Sequence, residues 1–260
     1  MMTFPRLHLF ELEDQPWFPA IIRDLATDYL SFMQTTLGLH RPIVPVLAKT
    51  LGETGRRQIV DLCSGGGGPL PEIQKELSAA GLNTSLVMTD RFPNLRAFQR
   101  IAELSGRKIS FIAQPVDARS VPDQLRGFRT IFNSFHHFRE ADAREILRNA
   151  VAAGEPIAIF EYPERAALII LLTLLLTPFV VALATPFIRP FRWSRLILTY
   201  LLPIIPLTCW WDGVVSHLRA YDVSDLRDLA KNLTSYDWQT RIIALPRSPG
   251  HLTYLVGRPR

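Results

Sequence analysis

The stretch that decides the fold is Asp61-Leu62-Cys63-Ser64-Gly65-Gly66-Gly67-Gly68-Pro69. A β-rich run ends at its start and a helical stretch follows, so a strand, a glycine loop and a helix are predicted in that order. Glycines allow positive φ angles and close approach of the backbone to a ligand, and the next helix N-terminus offers free N–H donors. The stretch therefore predicts a site for a small polar ligand; a tight turn without a ligand is the open alternative.

Short β-rich runs alternate with helical stretches on both sides of this loop. The helices are expected to end at Gly81, Gly106, Gly127 and Gly154, since glycine is favoured just after a helix C-terminus. Alternating strands and helices build a parallel sheet covered on both faces, so an α/β fold is predicted. The predicted strands are 59–62, 86–88, 109–112, 130–132 and 157–160, and the predicted helices are 71–80, 94–104, 123–126 and 141–153.

The chain beyond the fifth strand contains an apolar insertion and then returns to ordinary composition. A helix is predicted over 223–232, capped by Asp222 or Ser224. Two strands joined by the turn 246–250 follow it and end the chain in a hairpin. At the other end, apolar residues at helical spacing over 17–37 predict a helical cap. The hairpin strands are predicted over 238–245 and 252–256. The chain is thus predicted to have four parts: a cap at 1–57, a ligand-binding core at 58–161, the apolar insertion at 162–221, and the last helix with the hairpin at 222–260.

Acidic residues follow the second and third predicted strands. Asp90 comes directly after the second strand, and Asp117 follows the third in Val116-Asp117-Ala118. Both are expected at the carboxyl edge of the sheet, beside the glycine loop. A carboxylate after the second strand can accept hydrogen bonds from ribose hydroxyls, as it does in dinucleotide folds. The acids therefore favour a ligand that contains a nucleoside.

The motif Asp61-x-Cys63-x-Gly65-x-Gly67 resembles the acidic-x-Gly-x-Gly-x-Gly motif of class I S-adenosylmethionine-dependent methyltransferases. The resemblance covers roughly 58–161 and 223–260, and it implies a seven-stranded, mostly parallel Rossmann-like sheet that ends in a hairpin. Cys63 departs from the motif, because the family usually has its first glycine there. A small residue at this position is tolerable, although it narrows the backbone conformations available.

The resemblance also implies S-adenosylmethionine as the cofactor and gives individual residues roles. Asp61 would orient the loop and the methionine amino group, Asp90 would hold the ribose, and Phe92 would flank the adenine. Asp117 would bind the adenine amino group. The cofactor-binding set predicted in this way is Asp61, Cys63, Ser64, Gly65, Gly66, Gly67, Asp90, Arg91, Phe92, Asp117, Ala118 and Asn133.

NAD is the competing ligand for a glycine loop in this position. A dinucleotide site requires Gly-x-Gly-x-x-Gly, in which the third glycine lets the helix pack closely on the strand. Gly65 and Gly67 fit that pattern, whereas position 70 is Leu70. The missing third glycine favours S-adenosylmethionine.

The candidate catalytic residues follow the fourth and fifth predicted strands. They are His136 and His137 after the fourth, and Glu161 and Tyr162 at the end of the fifth. Methyl transfer to a hydroxyl needs a general base, which these side chains could supply; packing and support of the loop are the alternative role of His137. No metal is expected, because adjacent histidines do not easily face one ion and no cysteine or further histidine lies at ligand spacing.

The apolar insertion explains the mean hydropathy of +0.12, which is high for a soluble protein. Between residues 166 and 211 the charged residues are Arg189, Arg192 and Arg195, so three of the net +5 charges lie here. The uncharged stretch 166–188 is long enough to cross about 30 Å of hydrocarbon. Four prolines interrupt the uncharged stretches 166–188 and 196–211. A spanning hairpin would put the arginines outside, against the positive-inside tendency.

These features favour helices that lie in the cytosolic leaflet of a membrane, with the arginines against anionic headgroups and Trp193, Trp210 and Trp211 near the interface. A spanning hairpin, a lid over the substrate pocket and a dimer interface are the alternatives. A reducing, cytosolic setting is expected, because Met1–Asp14 lacks the pattern of a secretion signal and the chain has two cysteines. The expected location is the cytoplasmic face of a membrane of the bacterial inner-membrane type. Nucleic acid is not expected as a partner, since no basic stripe with aromatic residues occurs.

The sequence therefore predicts a membrane-associated methyltransferase with a hydrophobic acceptor of lipid, quinone or isoprenoid type. The alternative is a non-catalytic protein of the same fold that binds the cofactor or a lipid as a scaffold or sensor.

Overall fold

A seven-stranded sheet forms the centre of the computed structural model, which describes residues 5–245 and 248–260. Its strand order is β3-β2-β1-β4-β5-β7-β6; β1 to β5 run parallel, and β7 is antiparallel to both of its neighbours. The predicted seven-stranded, mostly parallel sheet with a final hairpin is confirmed. The strands are β1 Gln58–Leu62, β2 Ser85–Met88, β3 Ile109–Phe111, β4 Phe128–Phe132, β5 Ile157–Glu161, β6 Tyr236–Ala244 and β7 His251–Pro259.

The core helices lie close to their predicted positions. Asn94 caps α4 by accepting a hydrogen bond from the Ala97 N–H, and Asp222 caps α9 in a capping box with Asp225. Asp222 is thus the cap of α9, rather than Ser224. Pro246 and Arg247 of the predicted turn lie outside the described residues. The helices are α1 Ala20–Thr36, α2 Ile43–Thr54, α3 Leu70–Ala79, α4 Leu95–Leu104, α5 Glu140–Ala152, α6 Ala167–Ala184, α7 Trp193–Leu196, α8 Ile204–Arg219 and α9 Val223–Ala230.

The predicted helix near 123–126 is wrong. Asp123 and Gln124 form a turn, in which the Leu125 N–H donates to the Pro122 carbonyl, because four residues are too few to propagate a helix. The cap also contains a second helix, α2, which was not predicted and which ends at Gly55.

The sheet is buried on both faces. Ile59 and Phe160 belong to the apolar cluster under α2, α3 and α4, whereas Val60 and Ile159 belong to the cluster under α5 and α9. Successive strand residues point to opposite faces, so burial on both sides requires the continuous apolar runs seen in the sequence.

The insertion after β5 is a helical unit that packs on the N-terminal cap. Helices α6 and α8 pack against each other, and Val181 and Ile205 join Leu25 and Tyr29 of α1 in a third apolar cluster. The helical stretch Ala167–Phe187 is long and apolar enough to span a membrane, and 11% of its most apolar 18-residue window is buried. The next two helical stretches, Trp193–Leu201 and Ile204–Arg219, meet at an angle of 76°.

The arginines of the insertion do not form the expected exposed cluster. Arg195 is buried, with Nη2 2.5 Å from Oδ2 of Asp28, and its Nη1 donates to the carbonyls of Ile188 and Pro190. Arg192 lies 3.7 Å from the same carboxylate. The prediction that all three arginines face headgroups is therefore wrong, because Asp28 of α1 takes two of them; Arg189 is exposed.

Candidate active site

A cavity of about 650 Å³ opens at the carboxyl edge of the sheet. The glycine loop after β1 and Asp90 after β2 form one wall, and Asp212 and Gly213 of α8 form another. The N-terminal segment 8–15 covers the cavity and contributes acidic side chains. The cavity thus lies where parallel α/β sheets bind ligands.

The glycine loop takes the backbone conformation that its sequence predicts. Cys63 has a φ of 62°, so the residue that replaces the motif's first glycine is held in the left-handed region. Gly67 has a φ of 89°, and a Cβ atom there would lie 2.1 Å from Cδ1 of Ile101. Glycine is therefore required at position 67 by both conformation and space.

Asp61 is buried at the end of β1 and holds the loop from inside. Its carboxylate accepts hydrogen bonds from Oγ of Ser64 at 2.6 Å and from Oγ1 of Thr130 at 2.7 Å. Burial raises its pKa to about 7. The geometry accounts for the predicted orientation of the loop; contact with a methionine amino group stays a prediction.

Asp90 connects the end of β2 to the glycine loop. Its Oδ2 accepts a hydrogen bond from the Gly65 N–H and its Oδ1 accepts one from the Phe92 N–H, each at 2.7 Å. Burial raises the pKa of Asp90, although the two backbone N–H groups oppose this. Phe92 lies under the Arg23 guanidinium, whose Cζ is 4.6 Å from the ring centroid.

Most of the predicted cofactor-binding residues line the cavity. They are Asp61, Cys63, Ser64, Gly65, Gly66, Gly67, Asp90, Arg91, Phe92 and Asn133.

Asp117 and Ala118, the other two predicted cofactor residues, do not line the cavity. Arg119 pairs with the Asp117 carboxylate through Nε at 3.0 Å and Nη2 at 2.7 Å, and its hydrogen bonds lower the pKa of Asp117. Ala118 is buried in the core. Arg119 and Asp142 line the cavity in their place. The Asp117 carboxylate is engaged by the Arg119 guanidinium, and its contact with adenine stays a prediction.

Glu161 is fully buried beneath the cavity rather than exposed in it. Oε1 accepts a hydrogen bond from the Phe135 N–H at 2.8 Å, and Oε2 lies 2.5 Å from Nδ1 of His136. Burial raises the pKa of Glu161, but the charge and hydrogen bond of His136 outweigh it, so the net shift is downward. Glu161 therefore positions His136 and is poorly suited to be the predicted general base.

His137 lines the cavity between two carboxylates. Its Nδ1 is 2.7 Å from Oδ1 of Asp14 and 3.3 Å from Oε2 of Glu11. Burial lowers its pKa, but these carboxylates outweigh it and raise the pKa to about 10. The ring therefore already carries a proton at neutral pH, which argues against its predicted role as general base.

Tyr162 lines the cavity, and its hydroxyl is buried without a hydrogen-bond partner. Burial raises its pKa well above the usual range, so the phenol stays protonated at neutral pH. It can donate a hydrogen bond to a bound ligand but cannot readily accept a proton from one.

Acidic residues of the N-terminal segment line the cavity, although no motif in the sequence predicted it. The Leu12 and Glu13 N–H groups donate to the Asp212 carboxylate of α8 at 2.7 and 3.1 Å, which fixes the segment over the cavity. Burial, with the charge of Asp212, raises the pKa of Glu13 to about 8. The signal available in the sequence was the acidic run at 11–14. Asp212 and His217 both lie in α8 and line the cavity.

No family model matches the chain, and neither does any curated protein. Among solved structures, an O-methyltransferase family protein from Burkholderia thailandensis is 15% identical, with a TM-score of 0.47 over 86% of this chain and 57% of that one. The plantazolicin methyltransferase BpumL, in complex with SAH, is 13% identical, with a TM-score of 0.47 over 91% and 85% of the two chains. A Rhodobacter sphaeroides structure that bears a zinc-dependent alcohol dehydrogenase name is 15% identical, with a TM-score of 0.46 over 79% and 85%.

The chain spans a little over half the length of the Burkholderia protein, at 57%, and of an O-methyltransferase structure from Nostoc punctiforme, at 56%. The strand order, with β7 inserted antiparallel between β5 and β6, decides the fold. It is the class I methyltransferase fold. A fold hosts many activities, so the activity of this chain must be argued from its site.

Proposed function

We propose that the chain is an S-adenosylmethionine-dependent methyltransferase whose acceptor is hydrophobic and reaches the cavity from a membrane. The observation that carries the proposal is a single cavity with two kinds of wall. One wall is the glycine loop with Asp90, and another is α8 of the apolar insertion.

The cofactor wall supports a nucleoside-containing ligand by its donors and acceptors. Asp90 keeps lone pairs beyond the two that its backbone partners use, so it can accept from ribose hydroxyls. Asn133 Oδ1 is buried beside the loop without a partner and offers a further acceptor. S-adenosylmethionine supplies an activated methyl group on a sulfonium when it is bound.

The acceptor wall supports a hydrophobic substrate. Helix α8 faces the cavity through Cys209, Asp212 and Gly213, and α6 packs behind it. The outer side of α6 exposes Phe179 and Leu183, at 69% and 74%, which is unusual for large apolar side chains on a soluble surface. The insertion therefore suits contact with the cytosolic leaflet, which would deliver a lipid, quinone or isoprenoid to the cavity.

Glu13 is the candidate to remove a proton from a hydroxyl acceptor. It lines the cavity, and its pKa of about 8 suits a general base near neutral pH better than the protonated His137 does. The remaining requirement is alignment of the acceptor with the methyl group, which the walls of the cavity provide.

Cofactor binding and turnover test the proposal separately. Calorimetric titration with S-adenosylmethionine and with NAD should give binding of the first alone, and Asp90→Asn should weaken it. Incubation with methyl-labelled S-adenosylmethionine and a membrane extract should then label an extractable product, which mass spectrometry identifies. Binding without turnover on any extract would favour the scaffold or sensor alternative, and NAD binding alone would reject the methyltransferase proposal.

A further inference from the structure

The two adjacent histidines face the same carboxylate. They lie in a 3₁₀ turn, Phe135–His137, which brings their ring centroids to 4.4 Å with 32° between the planes. His136 Nε2 is 3.8 Å from Oε1 of Glu11, and His137 Nδ1 is 3.3 Å from Oε2 of Glu11. Both rings of this turn therefore lie beside the one carboxylate of Glu11.

Two buried atoms in this cluster lack hydrogen-bond partners among the residues that the structure describes. They are Nε2 of His136 and Oε1 of Glu11, on side chains only 1% and 2% exposed. Arg219 Nη1 is 3.1 Å from the same Glu11 oxygen, but without hydrogen-bond geometry. An unsatisfied buried polar atom is costly, and here a ring nitrogen and a carboxylate oxygen lie 3.8 Å apart without such a partner.

A carboxylate orients one of these rings from behind. Glu161 Oε2 lies 2.5 Å from Nδ1 of His136, which leaves Nε2 as the free nitrogen on the side of Glu11. Histidines that bind metals almost always donate their other ring N–H to a carboxylate or a backbone carbonyl. Asp14 lies beside the other ring, with Oδ1 2.7 Å from Nδ1 of His137.

We propose that Glu11, His136 and His137 bind a divalent first-row transition metal ion such as Zn²⁺, with Asp14 available as a fourth ligand. The three ligand atoms lie within 4.8 Å of one another. An ion with bonds of about 2.1 Å holds tetrahedral ligands roughly 3.4 Å apart, so small side-chain rotations complete the site. Two imidazoles and a carboxylate favour Zn²⁺, Co²⁺ or Fe²⁺ over Mg²⁺ or Ca²⁺, which prefer oxygen ligands.

The charges of the cluster are compatible with such an ion. Glu11, Asp14 and Glu161 supply three carboxylates to the cluster, against the single guanidinium of Arg219.

The ion would lie in the same cavity as the glycine loop and Glu13. There it could bind an acceptor oxygen and lower the pKa of a hydroxyl acceptor. This consequence rests on the proposed function, whereas metal binding itself does not and can be measured without cofactor or acceptor.

Metal titration of the metal-stripped full chain tests the site. Co²⁺ followed by its visible absorption, and Zn²⁺ followed by calorimetry, should each bind one equivalent, whereas Mg²⁺ should not compete. Glu11→Gln should abolish stoichiometric binding, and Glu161→Gln should weaken it about 10- to 100-fold through the orientation of His136. His217→Gln is the matched control: it lines the same cavity, but its ring nitrogens already meet the Glu164 N–H and Thr173 Oγ1.

Histidine side-chain NMR of the wild-type chain keeps the test independent of variants that fail to fold. Zn²⁺ should shift the imidazole signals of His136 and His137 and leave that of His217 in place. The proposal is overturned if the folded wild type binds neither ion stoichiometrically, or if Glu11→Gln binds as tightly as wild type. It is also overturned if His217→Gln loses binding to the same extent. S-adenosylmethionine titration of the same samples separates this failure from failure of the proposed function.

Discussion

The Asp90 carboxylate accepts a hydrogen bond from the backbone N–H of Gly65 at 2.7 Å. The bond joins the carboxyl ends of β1 and β2, so the conformation of the glycine loop and the position of the acid depend on each other. A ligand that contacts the glycine loop therefore also lies close to the Asp90 carboxylate.

Asp90→Asn should weaken S-adenosylmethionine binding. The amide is nearly the same size but has one acceptor oxygen instead of two, and it loses the charge that strengthens hydrogen bonds. A loss of about 1.5–3 kcal/mol is expected, or roughly 10- to 100-fold in Kd by calorimetry. Asp117→Asn is the control, because Arg119 holds that carboxylate outside the cavity, and its affinity should stay near wild type. Equal losses in the two variants would contradict the assignment of Asp90.

Gly67→Ala should destabilise the protein more than Gly81→Ala does. Both glycines have positive φ, 89° and 80°, so both variants place alanine in the left-handed region, which costs about 1–2 kcal/mol. A Cβ at position 67 also meets Ile101, whereas one at position 81 has nothing within 4 Å. Urea unfolding should show the larger loss at position 67, together with weaker cofactor binding. Equal midpoints would mean that the loop does not pack as described.

Most strands and core helices could be predicted from the sequence because their signals are local. Apolar runs of 4 to 5 residues and glycines at helix ends occur within a few positions of each element. The contacts of the N-terminal segment are not local: Glu11 and Asp14 reach His137 and Arg219 only when the chain is folded. The spacing of residues in the sequence therefore could not show that Glu11 and Asp14 belong to the site.

Two charged residues with predicted outside partners are each paired within the protein. Asp117 was expected to bind the adenine amino group and Arg195 to face headgroups, but Arg119 pairs with the first and Asp28 with the second. Arg195 pairs with Asp28, far away in the sequence, whereas the partner of Asp117 is two residues away. A sequence pattern can predict that a charged residue lies at the edge of the sheet or on a helix. It does not show which oppositely charged side chain will pair with that residue in the fold.

His137→Gln should change how the stability of the apo protein depends on pH. The pKa of His137 is raised to about 10, so its stabilising contribution is fully present below the unfolded pKa of about 6.5 and is lost as pH rises toward 10. The difference in free energy of unfolding between wild type and variant should therefore shrink between pH 7 and 9, by at most about 1.4 kcal/mol per pH unit. A difference that stays constant over this range would show that His137 is not held as an imidazolium.

Leu175→Asp with Phe179→Asp should reduce binding to vesicles that contain anionic lipid. These side chains are 54% and 69% exposed on α6, and aspartate there opposes insertion into the hydrocarbon boundary. Leu104→Asp is the matched control, since Leu104 is 75% exposed but belongs to α4 and not to the insertion. Vesicle co-sedimentation should fall for the double variant alone. If wild type stays in the supernatant with vesicles present, the membrane proposal is wrong.

Transfer of a labelled methyl group from S-adenosylmethionine to an extractable membrane component tests the proposed function most directly. Wild type is expected to label one hydrophobic product, and Asp90→Asn is expected to label much less of it at the same cofactor concentration. Folded wild-type protein that binds no S-adenosylmethionine and transfers no label to any extract would contradict the proposed activity.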